Sequence, residues 1–186
     1  IDAVKIGMLG AQDVMAAVAQ ALRAHQAPKV VLDTVMVAKS GDRLMPDDAV
    51  AFFKEELLPL ADVITPNLPE ASVLLGREVR ATANMHEAAR ELWDMCGGKT
   101  AVYLKGGHSV EETLRDVFYD GKAFIDLDGP RVHTKNTHGT GCSLSSAIAA
   151  LWARTDDLPQ AVRLARRYIE EAINASDDMT VGSGHG

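Results

Sequence analysis

An α/β architecture, a mostly parallel sheet with helices on both faces, follows from three features of this sequence. Short β-rich runs alternate with longer amphipathic stretches, residues 29–36 form a nearly continuous apolar run, and the period changes to that of a hairpin near 115–127. Residues 3–9 (AVKIGML) open the series as a strand closed by Gly10. Residues 13–25 then place Val14, Val18, Ala21 and Leu22 on one helical face, with Asp13 as N-cap or first-turn acid. The 29–36 run (KVVLDTVM) reads as a strand buried on both faces. A polar loop at 38–43 leads to a helix that begins at Pro46-Asp47-Asp48. That helix turns Val50, Phe53, Leu57 and Leu58 inward and stops at Pro59.

The same rhythm continues with a strand at 62–65, a Pro66-Asn67 turn and a short helix through Glu70 and Leu75 ended by Gly76. A helix at 85–96 offers Leu92, Trp93 and Cys96 to a core, and a strand at 100–105 runs into Gly106-Gly107-His108. Strands at 115–119 and 123–127 flank Asp120-Gly121 as an antiparallel hairpin. A small-residue helix follows Gly139-Thr140-Gly141-Cys142 and runs to about Arg154, and an amphipathic helix covers 158–175. The glycine-rich end, 181–186, carries no pattern.

The chain has 186 residues, 47% apolar and 24% charged, a formal net charge of -7 and two cysteines, which fits one compact domain. An acidic balance does not supply the basic field that nucleic acid or an anionic membrane surface requires. No apolar run approaches the roughly 18 residues of a spanning helix, and no basic segment precedes an apolar leader. A cytoplasmic protein with reduced thiols is expected, because Cys96 and Cys142 do not make a disulfide framework and no Cys/His cluster has zinc-ligand spacing. The opening residue is Ile1, set directly before a strand, and something upstream is expected to be missing.

In open α/β sheets, ligands sit beyond the carboxyl ends of the strands. Five unusual clusters fall there: Gly7-Met8, Asp33 to Val35, Asn67 to Glu70, Lys105 to His108 and Gly139 to Cys142. Backbone N–H groups of Gly139, Thr140, Gly141 and Cys142, at the positive end of a helix, form an anion cradle suited to phosphate. Cys142, in the first turn, is suited to accept a proton or attack an electrophile; the plainer alternative is a tight turn with a small buried thiol. Lys105, before two glycines, is a point charge for a nucleotide phosphate or simply a solvated lysine. Asn67 and Glu70 fit a capping box and equally fit water-mediated Mg²⁺. Asp33, an acid within an apolar strand, requires a partner, either a metal shell or a local backbone donor.

Taken together, these residues resemble the hydroxymethylpyrimidine and phosphomethylpyrimidine kinases of thiamin biosynthesis, within the ribokinase-like superfamily. The likeness is carried by VKIGMLG at 4–10, VVLDTVMVAKSGD at 30–42, ITPNLPEA at 64–71, LKGGH at 104–108 and TKNTHGTGCSLSSAIAA at 134–150. The resemblance implies a three-layer α/β/α sandwich and an enzyme that uses ATP and Mg²⁺ to phosphorylate the pyrimidine's hydroxymethyl group and then its monophosphate. It implies Cys142 as base for the substrate hydroxyl, with Gly139, Thr140 and Gly141 as the anion hole for the transferring phosphoryl. It further implies Lys105, Asn67 and Thr140 at the nucleotide, Asp33 and Glu70 at the metal, and Met8 and Val35 against the pyrimidine ring. A homodimer is implied as well, the 115–127 hairpin being a candidate edge.

Family members carry an upstream strand-helix unit and a lid, with pyrimidine-binding groups that these 186 residues lack, and a tail beyond Gly186. One N-terminally incomplete domain spanning 1–186 is therefore expected. It would have an unsatisfied sheet edge beside residues 3–9 and little kinase activity by itself. Three alternatives compete. A pyridoxal or pyridoxine kinase shares the fold, but Met8 and the Lys39-Ser40-Gly41 loop favour the thiamin precursor. A non-catalytic nucleotide-binding module is opposed by the presence of Cys142, Lys105 and Glu70. A thiol hydrolase would need Cys142 oriented by a histidine such as His138.

Overall fold

The structure, a computed structural model, describes residues 1–37, 44–80, 83–107, 113–134, 136–176 and 179. The expected loop at 38–43, His108, Lys135 and the glycine-rich end lie outside the described residues. In chain order the elements are β1 (Val4–Ile6), α1 (Gln12–His25), β2 (Val30–Leu32), α2 (Asp47–Phe52), β3 (Val63–Ile64), α3 (Leu68–Leu75), α4 (Met85–Met95), β4 (Ala101–Leu104), β5 (Thr113–Tyr119), β6 (Phe124–Pro130), α5 (Thr140–Thr155) and α6 (Leu158–Ala175). α2 continues as a π-helical turn, Phe53–Leu57, and a 3-10 turn, Leu58–Leu60, that contains Pro59.

The six strands lie side by side in sequence order, β1 to β4 parallel and β5 and β6 antiparallel. Parallel strands added always on the same side through right-handed crossovers put every crossover helix on one face. α1 to α4 accordingly share one apolar layer with Ile6, Leu32, Ile64 and Val102. The opposite face, left bare by that rule, is covered by α5 and α6, whose Leu144, Ile148, Val162 and Ala165 pack on Val31, Val63, Tyr103 and Phe118. The result is the expected three-layer arrangement. Among the described residues β1 pairs only with β2 and forms one edge of the sheet. No helix of the described residues is long and apolar enough to cross a membrane.

Two expectations need correction. The buried face of α1 is centred on Met15 and Ala19, with Val18 and Leu22 partly buried, while Val14 is 45% exposed and Ala21 is exposed. Two stripes one residue apart share Val18 and Leu22, and the long Met15 side chain fills the core in place of Val14. The 29–36 run is strand only over Val30–Leu32. Beyond Leu32 the backbone turns on itself, Val35 N donating to Asp33 O, while the chain remains buried through Thr34. That departure from regular pairing delivers Asp33 to the site.

Candidate active site

Side chains alternate across a strand, so the face that carries Val31, Val63 and Tyr103 toward α5 continues, two residues on, with Asp33, Thr65 and Lys105. Backbone hydrogen bonds extend the sheet to this layer: Asp33 N donates to Ile6 O, Thr65 N to Leu32 O and Lys105 N to Pro66 O. A hydrophobic layer is thus capped by a polar one at the carboxyl ends of the strands. Asp33, 1% exposed, accepts from Thr65 Oγ1 at 3.0 Å and Lys105 Nζ at 3.2 Å on Oδ1, and from Ser145 Oγ of α5 at 3.1 Å on Oδ2. Lys5 Nζ of β1 stands 4.0 Å from Oδ2. The protein partners are ammonium and hydroxyl groups of other elements and not the local backbone donor that is one of the two expectations for this acid. A buried carboxylate is tolerable only with such compensation.

Lys105 reaches on to the start of α5, where a Cβ on Gly141 would lie 3.2 Å from its Nζ. That helix begins at Gly139, whose φ of 75° suits glycine, and Ser143 N returns to Gly139 O. Thr140 Oγ1 donates to Thr137 O at 3.0 Å and pins the turn, while the Asn136 side-chain amide donates to the carbonyls of Ser176 and Met179 after α6. An ammonium and a helix N-terminus therefore converge on one point, each favouring negative charge.

On the other side of Lys105, Asn67 and Glu70 form a complete capping box: Glu70 N donates to Asn67 Oδ1 at 2.8 Å and Asn67 N to Glu70 Oε2 at 2.9 Å. Thr34 Oγ1 also donates to Oε2, at 3.1 Å, and Asn67 bridges Lys105 in parallel register. Burial pushes the Glu70 carboxyl above its ordinary range, and the Lys105 charge opposes that rise. No group of three or more His, Cys, Asp or Glu among the described residues forms a metal cage.

A second buried carboxylate, Asp116 of β5, escaped the sequence reading. Its Oδ1 accepts from Gly106 N at 2.7 Å and its Oδ2 from Tyr103 OH at 2.8 Å, with Arg166 Nε of α6 3.1 Å from Oδ2. Arg166 Nε is nonetheless buried without a properly directed hydrogen bond, so this contact is one of charge more than of direction. A Cβ at Gly106 would strike the Arg115 carbonyl. Asp116 and this close approach fix the backbone immediately after Lys105.

The structure brings together Asp33, Asn67, Glu70, Lys105 and the 139–141 turn. Cys142 is exposed at the mouth of an open groove of about 700 Å³ between α5 and α6, lined also by Ser146, Leu151 and Tyr168. No hydrogen bond joins Cys142 to His138 among the described residues. Met8, 55% exposed, follows β1, and Val35 is half-buried after β2. Beyond Asp116, sequence reasoning missed Lys5, Thr65 and Ser145. The available signal was the two-residue alternation, which sets Lys5 on the face opposite Val4 and Ile6.

Comparison with known proteins agrees with this arrangement. A family model described as phosphomethylpyrimidine kinase matches residues 1–186. The hydroxymethylpyrimidine/phosphomethylpyrimidine kinase of Rhizobium meliloti is 45% identical over 187 residues, covering 100% of this chain and 69% of the relative. Among solved structures, an ADP complex of Bacillus subtilis pyridoxal kinase has a TM-score of 0.83 at 35% identity, over 91% of this chain and 64% of that one. A phosphomethylpyrimidine kinase from Clostridium difficile has a TM-score of 0.79 at 32% identity, over 92% of this chain and 69% of that one. The chain thus spans about two thirds of the length of these proteins. The fold is shared with pyridoxal kinases, but the sequence likeness favours the thiamine-pathway kinases over the vitamin B6 alternative. With every residue inside the family match and a convergent cation and helix terminus at the strand ends, the chain belongs to the phosphomethylpyrimidine kinase family of phosphotransferases.

Proposed function

We propose that the protein carrying this chain transfers the γ-phosphoryl group of ATP to the hydroxymethyl oxygen of 4-amino-5-hydroxymethyl-2-methylpyrimidine, and then a second phosphoryl to the resulting monophosphate. The observation that carries the proposal is the meeting of the Lys105 ammonium with the first turn of α5, anchored from behind by buried Asp33. Phosphoryl transfer needs little covalent help from protein and is governed by positioning and charge. The N–H groups of Gly139, Thr140, Gly141 and Cys142 would receive the equatorial oxygens of the transferring group, and Lys105 would neutralise them. In the first transfer the substrate oxygen bonds to the γ-phosphorus as the bond to the β,γ-bridging oxygen breaks. ADP leaves, and the hydroxyl proton passes to Cys142 Sγ. Met8 and Val35 would flank the pyrimidine ring.

ATP as donor is supported by the nucleotide in the structurally similar pyridoxal kinase. Mg²⁺, when bound, neutralises charge on the nucleotide's phosphates. Hard cations of this kind keep several waters and use only one or two carboxylates. Glu70, beside Asn67 and facing the same region as Lys105, fits that role. Asp33, with ammonium and hydroxyl donors on both oxygens, fits better as the anchor of the lysines, and a metal there would compete with them. A homodimer acting in the cytoplasm completes the proposal and rests on the family resemblance.

Replacing Cys142 with Ala in the full-length enzyme tests the base assignment. Phosphorylation of the alcohol should fall by about 10²- to 10⁴-fold, the usual worth of a general base, while ATP binding by calorimetry changes little. Undiminished turnover would remove Cys142 from the mechanism. Comparing kcat/KM on the pyrimidine alcohol and on pyridoxal decides the substrate.

A further inference from the structure

We infer that Lys5 is the group that recognises the phosphate of the already phosphorylated acceptor, and so enables the second transfer; this rests on the two-step reading above. Lys5 is as deeply set as Lys29, their side chains being 21% and 22% exposed. Lys29 spends its ammonium on Asp156 Oδ1 at 2.6 Å and Trp152 O at 3.3 Å. Lys54, another part-buried lysine, donates to Leu74 O at 3.0 Å. Lys5 makes no hydrogen bond among the described residues, and its nearest counter-charge is Asp33 Oδ2 at 4.0 Å. A half-buried ammonium whose donors are unspent among the described residues is free to bind acceptors that a ligand brings.

The position selects the ligand. Two ammoniums flank one carboxylate, Lys105 on Oδ1 and Lys5 on Oδ2, and Lys105 also faces the Glu70 carboxyl, so Lys5 is the less committed of the two cations. Lys105 lies against Gly141 at the helix start, on the side that receives the transferring group. Lys5 Nζ lies instead 3.1 Å from where a Cβ of Gly7 would stand, one residue before Met8, on the side assigned to the acceptor. The two acceptors differ there by a phosphate dianion. The neutral alcohol offers hydrogen-bond acceptors but no charge for a second cation to hold. The monophosphate must bring its charge toward the γ-phosphate of ATP, and a fixed ammonium beside its ring offsets that repulsion.

The test uses the full-length enzyme with the pyrimidine alcohol and its monophosphate as separate acceptors. Lys5→Met should lower kcat/KM for the monophosphate by about tenfold or more beyond any loss on the alcohol, the worth of one charge-assisted hydrogen bond. Lys5→Arg should restore most of that ratio. Because both values come from one preparation, the ratio is independent of the fraction of enzyme that is folded. A ratio that moves less than about tenfold, whether both activities fall together or neither falls, overturns the role of Lys5. So does a rise in the KM for ATP that is equal with both acceptors. A parent enzyme inactive on both acceptors overturns the two-step reading itself, and the assignment of Lys5 with it.

Discussion

Asp33 and Asp116 are both buried carboxylates, 1% and 7% exposed, and both act on the Lys105-Gly106 step. Their partners divide them. Asp33 holds two ammoniums, one hydrogen-bonded at 3.2 Å and one at 4.0 Å, each with donors left over. Asp116 holds a phenol, a backbone N–H and the guanidinium of Arg166, which also pairs with Glu170 at 3.3 Å. Burial, then the negative Asp116, keeps the Tyr103 phenol well above its ordinary pKa, so it remains a donor throughout the working range. One carboxylate gathers charge for a ligand; the other holds the backbone still through Gly106 N. Burial and charge alone do not separate a site from a scaffold; here the difference is that the Asp33 cluster contains two flexible ammoniums, while the Asp116 cluster ties down a backbone N–H and a phenol.

The sharpest way to break this contrast is to remove the shared lysine. Lys105→Met should lower kcat by about 10²- to 10³-fold, as loss of a transition-state donor does. It should also cost about 3 kcal/mol of stability, because Asp33 loses its bonded counter-charge. Adding Asp33→Asn should recover most of the stability and none of the turnover. A double variant that regains activity would reduce Lys105 to a neutraliser of Asp33. Asp116→Ala should show the opposite balance, destabilising by about 3 kcal/mol in urea titration because Tyr103 OH and Gly106 N lose their acceptor and Arg166 is left with Glu170 as counter-charge. Its kcat per folded molecule should fall by less than about tenfold.

Glu70→Gln separates cap from chemistry at one residue. The amide oxygen still accepts from Asn67 N, so the capping box survives. The folded-state pKa of Glu70 lies above its ordinary 4.5, so its contribution to stability is full below that value and is lost as pH rises through the folded value. The Gln variant should therefore melt at or above the parent temperature at neutral pH and show a flatter pH dependence above about 4.5. The Mg²⁺ concentration for half-maximal rate should rise about tenfold. A lower melting temperature with unchanged Mg²⁺ dependence would make Glu70 purely a cap.

What the sequence disclosed follows the range of each interaction. The Asn67–Glu70 box is local and readable from spacing, and α6 covers the expected residues, its start fixed by Asp157, which accepts from Gln160 N. Asp33 and Lys105 stood out as polar residues ending apolar strands. Lys5, Thr65 and Ser145 did not, because their meeting depends on strand register and on where α5 docks. The Asp116–Arg166 contact joins a strand to a helix on the far side of the hairpin, and no pattern within either segment announces it. On α1 the difficulty was different: overlapping stripes gave two faces, and tertiary packing chose between them.

The finest test lies in the two glycines that touch the Lys105 region. A Cβ at Gly106 would meet the Arg115 carbonyl, which cannot yield without moving β5, so Gly106→Ala should destabilise by about 1–3 kcal/mol. At Gly141 the Cβ would stand 3.2 Å from Lys105 Nζ, the free end of a flexible side chain. Gly141→Ala should therefore be neutral or gain about 0.5 kcal/mol, since alanine is the better residue within a helix. Its cost should fall on the reaction: the displaced ammonium should lower kcat by about threefold to tenfold, the penalty of a small misplacement. Thermal melts and initial rates on one preparation suffice. Lost stability with intact turnover would mean that Lys105 is packing for α5, and the division between the two carboxylates would fall with it.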